Sequence, residues 1–135
     1  MDEKYGFRTT ITVRVGDINY GGHMGNDRFL LLFHDARIRF LESIGCSEKE
    51  IGSQTGLLMT EAHVSYKAEV FLGDELDVGV RATDLQRIRF TMEYCAERKA
   101  DQKVVATGYT KMAAFDYKTK KLKNLPHEFR EKINL

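Results

Sequence analysis

The sequence predicts an α+β domain, one curved antiparallel sheet of five or so strands holding one long apolar helix. Three observations carry that reading. Residues 27–44 place apolar side chains at helical spacing over most of the helix surface. Four segments in which apolar and polar residues alternate then follow one another along the chain, between residues 62 and 117. The connections between them are about three to seven residues long, a length that suits antiparallel neighbours.

The first element is a strand over residues 7–15, with Ile11, Val13 and Val15 on one side and Thr10, Thr12 and Arg14 on the other. That two-residue period marks a half-buried strand. A glycine-rich loop, DINYGGHMGN at residues 17–26, follows it. In the helix, Phe29, Phe33, Ala36, Phe40 and Ile44 form a stripe that Leu30, Leu32, Ile38 and Leu41 widen until little of the surface is polar. Asn26 stands where an N-cap belongs, Asp27 suits the positive helix end, and Gly45 suits the stop. A helix this apolar has to be wrapped.

The wrapping strands come next. Ala62, Val64, Tyr66 and Ala68 alternate with Glu61, His63, Ser65 and Lys67. After the turn FLGD, Leu76, Val78, Val80 and Ala82 alternate with Asp77, Gly79 and Arg81. Beyond DLQ, Ile88, Phe90, Met92 and Tyr94 alternate with Arg87, Arg89, Thr91 and Glu93. The polar turn RKADQK leads to a last long strand over residues 104–117. The only proline, Pro126, is expected to start a short surface helix. An unpaired sheet edge is a hazard that pairing with a second copy removes, so pairing of an edge strand with a second copy is expected.

Composition bounds the function. A chain of 135 residues reads as a single domain over 1–135, large enough to bury ~70% of the surface its unfolded form exposes. A formal net charge of +1 gives no electrostatic case for nucleic acid or an acidic membrane as the main partner. Cys46 and Cys95 lack CxxC spacing and read as reduced thiols. The N-terminal MDEKYGFRTT has no apolar signal-peptide core, and the apolar run at 29–33 is far too short to span a bilayer. The expectation is a cytoplasmic protein. His23 and His34 belong to different elements, and no acid–histidine cluster has metal spacing, so no metal site is expected.

The assembled pieces are DINYGGHMGN (17–26), then DAR (35–37) on the helix, then YKAEVFLGD (66–74) between the first two wrapping strands, and LP at 125–126. In that order and spacing the chain resembles the hotdog-fold thioesterases, closest to the 4-hydroxybenzoyl-CoA thioesterase-like branch. The resemblance implies the hotdog fold, a five-stranded sheet around a central helix, in a dimer or tetramer. It also implies hydrolysis of acyl-CoA or acyl-carrier-protein thioesters without metal or organic cofactor. One position departs from the pattern. Many relatives carry their catalytic carboxylate as the second acid of D-x-D, where this chain has Asn19. Asparagine cannot serve as nucleophile or base at neutral pH. The chain also resembles plant acyl-ACP thioesterases, which pair a loop histidine with an acid in a Y-x-x-E arrangement; Tyr66-Lys67-Ala68-Glu69 matches that pattern.

Thioester hydrolysis needs donors for an oxyanion and a group to activate water. The expected donors are the backbone amides of Gly25 and Asn26 at the helix mouth, where unpaired N–H groups and the dipole favour negative charge. Gly21 and Gly22 give close access to substrate. Asn19 is expected to orient substrate or water, while His23 and Glu69 share acid–base work. Asp17 is the reserve acid, its alternative being a loop residue that caps nearby backbone. Asp35 either reaches substrate across a dimer interface or pairs with Arg39 at i+4. A hotdog protein that binds an acyl thioester without turnover is the leading rival, favoured by Asn19. A hotdog dehydratase or hydratase is the lesser one.

Overall fold

The computed structural model describes residues 1–133. The strands are β1 (Phe7–Thr12), β2 (Gly56–Tyr66), β3 (Glu75–Thr83), β4 (Arg89–Arg98), β5 (Lys103–Asp116) and a two-residue β6 (Lys121–Leu122). The helices are α1 (Asn26–Ser43) and α2 (His127–Ile133). All strand pairs are antiparallel in the order β1-β3-β4-β5-β2, with β6 extending the far end of β5. The expected five strands are present, and β6 is the addition.

The inner face of the sheet closes around α1. Leu76, Val78 and Val80 on β3, Phe90, Met92, Tyr94 and Ala96 on β4, and Ala106, Met112 and Ala114 on β5 are all at most 2% exposed. They meet Phe29, Phe33, Ala36, Phe40 and Leu41 of the helix, as the predicted stripe requires. Each such large apolar side chain contributes roughly 1.5–3 kcal/mol by leaving water. One polar chain crosses this core. Arg37, 4% exposed, donates from Nε to Glu48 at 2.7 Å and from Nη1 to the Tyr94 hydroxyl at 3.1 Å, which lies 2.7 Å from Thr110 Oγ1. Burial pushes the Tyr94 hydroxyl up, against the pull of Arg37 and Thr110, so it stays a neutral partner.

Four local expectations change. β1 ends at Thr12, and residues 15–17 form a single 3-10 turn that leaves Val15 77% exposed instead of on the inner face. The helix N-cap is Gly25, and Asn26 is already the first helical residue, so no side chain caps the helix mouth. β2 begins at Gly56, earlier than the alternation signalled, and its expected inner residues Ala62 and Tyr66 are exposed. It is an edge strand only partly covered by α1, so burial does not follow its alternation. The C-terminal helix starts at His127 and buries Phe129 and Ile133, with Phe129 set edge-on against Phe90. One side of it belongs to the core.

Candidate active site

The loop between β1 and α1 is closed by its own backbone. Asn19 N–H donates to His23 O at 3.0 Å, Gly22 N–H to Asn19 O at 3.1 Å, and Ile18 bridges Met24. The Asn19 side-chain oxygen accepts Gly21 N–H at 2.9 Å, an Asx turn that leaves its NH2 group and the oxygen's second lone pair for other partners. Gly22 takes φ +85 at the exposed tip, the left-handed region where a side chain is strained. Both glycines are exposed at this tip.

Further backbone bonds close the loop and tie it to the rest of the fold. Gly25 N–H donates to Asp17 O at 3.0 Å, and Met24 N–H donates to Val70 O at 2.7 Å. On the other side, Lys67 and Ala68 N–H groups both reach Val105 O, at 2.9 and 3.2 Å. The stretch that carries Glu69 is thereby held between β5 and the glycine loop.

His23, Asn26, Phe29, Tyr66, Lys67 and Glu69 line one cavity of about 270 Å³ at the mouth of α1. His23 is half-buried, and Asn26 and Glu69 are exposed to that space. His23 Nδ1 lies 3.1 Å from Met24 O. A carbonyl can only accept, so Nδ1 carries the proton and Nε2 of the neutral ring keeps its lone pair. The Tyr66 hydroxyl donates to Asn26 O at 3.0 Å and its ring sits edge-on to Phe29, bracing the first helical turn. Tyr66 stands in the quoted Y-x-x-E stretch, yet its part in building this wall was not legible there.

The helix mouth supplies donors, with one change from expectation. The Gly25 amide is taken by Asp17 O and Arg28 N–H returns to Gly25 O, whereas the Asn26 and Asp27 amides have no acceptor among the described residues. The available pair is therefore Asn26 and Asp27.

Asp17 and Asp35 lie elsewhere. Asp17 Oδ2 accepts Arg14 N–H at 2.9 Å, three residues back, capping the 3-10 turn. Asp35 pairs with Arg39 at 3.0 Å, both groups being nearly half exposed, and Arg39 also reaches Thr9 Oγ1 and Thr10 O on β1. Both acids line a separate cavity of about 410 Å³ between α1 and β1. His34 faces Glu48 at 3.3 Å, and His63 stacks on Tyr109 on the exposed sheet surface. Among the described residues, no three His, Cys, Asp or Glu side chains gather closely enough to hold a metal ion. No described helix is long and apolar enough to cross a membrane.

An antiparallel sheet wrapped on one long helix, with a loop of glycines at the helix mouth, defines a hotdog-fold protein. The family model of the thioesterase-like superfamily matches residues 13–133, and the chain belongs to that family. Its relatives include a 1,4-dihydroxy-2-naphthoyl-CoA hydrolase of Synechococcus elongatus, 24% identical over 126 residues and covering 91% of each chain. Among solved structures, a 1,4-dihydroxy-2-naphthoyl-CoA thioesterase from Synechocystis superposes with a TM-score of 0.86 at 23% identity, covering 95% of each chain. A Staphylococcus aureus protein in complex with CoA does so with a TM-score of 0.86 at 26% identity, over 95% of this chain and 81% of that one.

Proposed function

We propose that the protein is an acyl-CoA thioesterase, releasing a free acid and CoA thiol. The observation that carries the reading is the meeting of His23, Glu69 and Asn26, whose amide is unpaired, around one cavity, with the unpaired Asp27 amide next to it in the first helical turn. The thioester carbonyl oxygen accepts from those two amides, which the positive helix end favours as charge develops. Losing one such donor in an enzyme typically costs about 3–4 kcal/mol of transition-state stabilisation. His23 Nε2 takes a proton from the attacking water, and Glu69 steadies the imidazolium or receives the proton in turn. The tetrahedral intermediate then collapses, the C–S bond breaks, and the proton held by the site returns to the departing thiolate. Asn19 contributes its NH2 group to orienting substrate, and Gly21 and Gly22 keep the approach open. Family membership and the CoA-linked names of the relatives support this chemistry.

A cavity of about 270 Å³ is smaller than most small-molecule sites, which span ~300–1,000 Å³. It fits the thioester head, with the remainder of the substrate running outward. In this reading a second copy paired through β2, whose last residue Tyr66 lines the cavity, completes it. β2 is a free edge flanked by Leu58 at 37% and Met59 at 42% exposure. Pairing of two β2 edges in a homodimer, which a homotetramer can repeat, removes that edge; sedimentation velocity measures the state. Two unpaired, buried cysteines support a cytoplasmic location.

The test is thiol release from a panel of acyl-CoA and acyl-carrier-protein thioesters, hydroxyaryl-CoAs included because the relatives are named for one. Turnover by the wild-type protein is expected, with kcat lowered ~10²–10⁴-fold in His23→Ala and Glu69→Gln. Acyl-CoA that binds in calorimetry without releasing thiol marks a non-catalytic binder. Turnover of 3-hydroxyacyl thioesters without thiol release marks a dehydratase.

A further inference from the structure

We infer that Arg98, together with Asp74, is a positioning pair that sets the stretch bearing Glu69 in register with the loop bearing His23. The inference rests on the reading of His23 and Glu69 as the acid–base pair. Arg98 lies at the end of β4, outside every motif quoted above and off the walls of the His23 cavity. Its Nη2 donates to the backbone carbonyl of Glu69 at 2.5 Å, and its Nη1 pairs with Asp101 at 3.1 Å. Its Nε faces Asp74 Oδ2 at 3.5 Å without forming a hydrogen bond, the one buried side-chain polar atom among the described residues left without a partner.

A guanidinium normally satisfies its donors when it loses water, because an unpaired one costs free energy. Arg98 leaves Nε unpaired while Nη2 keeps its bond to Glu69 O. The local geometry therefore favours the Glu69 contact over the best pairing with Asp74. Asp74 is occupied by the same stretch, its Oδ2 accepting Phe71 N–H at 2.9 Å, and its backbone oxygen accepts Val13 N–H beyond β1 at 2.9 Å.

The next carbonyl along, Val70 O, accepts Met24 N–H beside His23. Two successive carbonyls are thus held by different partners, Glu69 O by a side chain of β4 and Val70 O by the glycine loop. With both held, the peptide joining Glu69 to Val70 cannot rotate, so the Glu69 side chain leaves the backbone toward the cavity in one direction. Without Arg98, Glu69 keeps its chemistry and loses its aim. Misplacement of about 1 Å is enough to cost on the order of 10²-fold in rate.

The experiment compares wild type, Arg98→Ala and Arg98→Lys by acyl-CoA kinetics and by amide hydrogen exchange resolved at single residues. Arg98→Ala is expected to lower kcat about 10–100-fold with KM changed less than about 3-fold, the signature of lost alignment. Arg98→Lys, which keeps one donor for Glu69 O, is expected to recover most of that loss. In Arg98→Ala the Met24 amide is expected to exchange at least about 10-fold faster while the paired amides of β4 and β5 keep their rates. An unchanged Met24 rate overturns the inference whatever kcat does. Acceleration throughout the sheet overturns it too, since that is plain loss of stability, and so does local acceleration with wild-type kcat. If the wild-type protein hydrolyses no thioester, the thioesterase reading fails and exchange alone decides the clamp. Should Arg98→Ala not fold, Arg98→Met, which keeps the apolar stem and removes every donor, provides the same readouts and the same criteria.

Discussion

The ring of Phe33 rests on the backbone of Gly108. A methyl group at Gly108 would come 2.8 Å from Phe33 Cε2 and 2.5 Å from the carbonyl oxygen of His63 on β2. The helix is seated on β5 at this point because no side chain intervenes, and Phe33 continues into a stack with Tyr94 at 4.8 Å. Gly108→Ala therefore pushes on backbone, which cannot give way as a flexible side-chain end can. Overpacking of this kind costs about 1–3 kcal/mol, and urea denaturation is expected to show a loss in that range with an unchanged m-value. A loss below about 0.5 kcal/mol, the ordinary scatter of neutral surface changes, would mean the contact relaxes freely.

Tyr94 offers a second test of the core. Its hydroxyl joins Arg37 to Thr110, and all three side chains are buried. In Tyr94→Phe the ring still stacks on Phe33, but one guanidinium N–H and the Thr110 hydroxyl lose their partner. Leaving a buried polar group unsatisfied costs about 1–3 kcal/mol. Thr110→Val removes the other end with nearly the same shape. The double variant is expected to cost less than the sum of the two, because the second change removes a group the first has already orphaned.

How far such features were legible in the sequence depends on the range over which they act. The helix stripe and the β3 and β4 alternations are local periodicities set by burial on one face, and most of their apolar positions are buried. Burial on β2 could not be read, since it depends on how far the curled sheet carries its edge past α1. The chemistry of Asn26 suits an N-cap, whereas the bend that starts the helix is fixed one residue earlier by Gly25 bonding to Asp17 O. His23 and Glu69 each sit in a short motif, and both line the cavity beside the helix mouth. Arg98 carries no local signal: its contact with Glu69 spans 29 residues and exists only after β4 has paired with β3.

Alkaline stability follows from Tyr5, which is 7% exposed and packed against Gly79 on the sheet. Burial first, then Cys95 and Glu93 nearby, pushes its hydroxyl from 10.0 up to about 12. Between those values the folded chain holds a proton that the unfolded chain has lost, so stability falls as pH rises. Tyr5's contribution is complete below about pH 10 and disappears as pH passes 12, amounting to at most about 2–3 kcal/mol. The Cys95 thiol, also raised by burial from 9.0, starts the decline earlier. Denaturation midpoints from pH 8 to 12 are expected to drop above about pH 9, and less steeply above pH 10 in Tyr5→Phe. Equal slopes in the two proteins would remove Tyr5 as the cause.

Asp17→Asn separates the two cavities that flank the loop. The Asp17 carboxylate caps Arg14 N–H and lines the space between α1 and β1, while His23 and Glu69 line the other space. Asparagine keeps an oxygen for Arg14 N–H, and the bond from Gly25 to Asp17 O is backbone and survives any substitution. The charge is what changes. A carboxylate that acted on water would be lost outright, with a fall in kcat of ~10²–10⁴-fold. A capping carboxylate exchanged for a capping amide costs about 1 kcal/mol of stability or less. The expected outcome is a kcat within about 10-fold of wild type, a small drop in denaturation midpoint, and a far larger kcat loss in His23→Ala assayed beside it. A fall in Asp17→Asn as deep as that of His23→Ala would return Asp17 to the catalytic role. It would also require the loop to turn during the reaction, carrying that carboxylate from one cavity to the other.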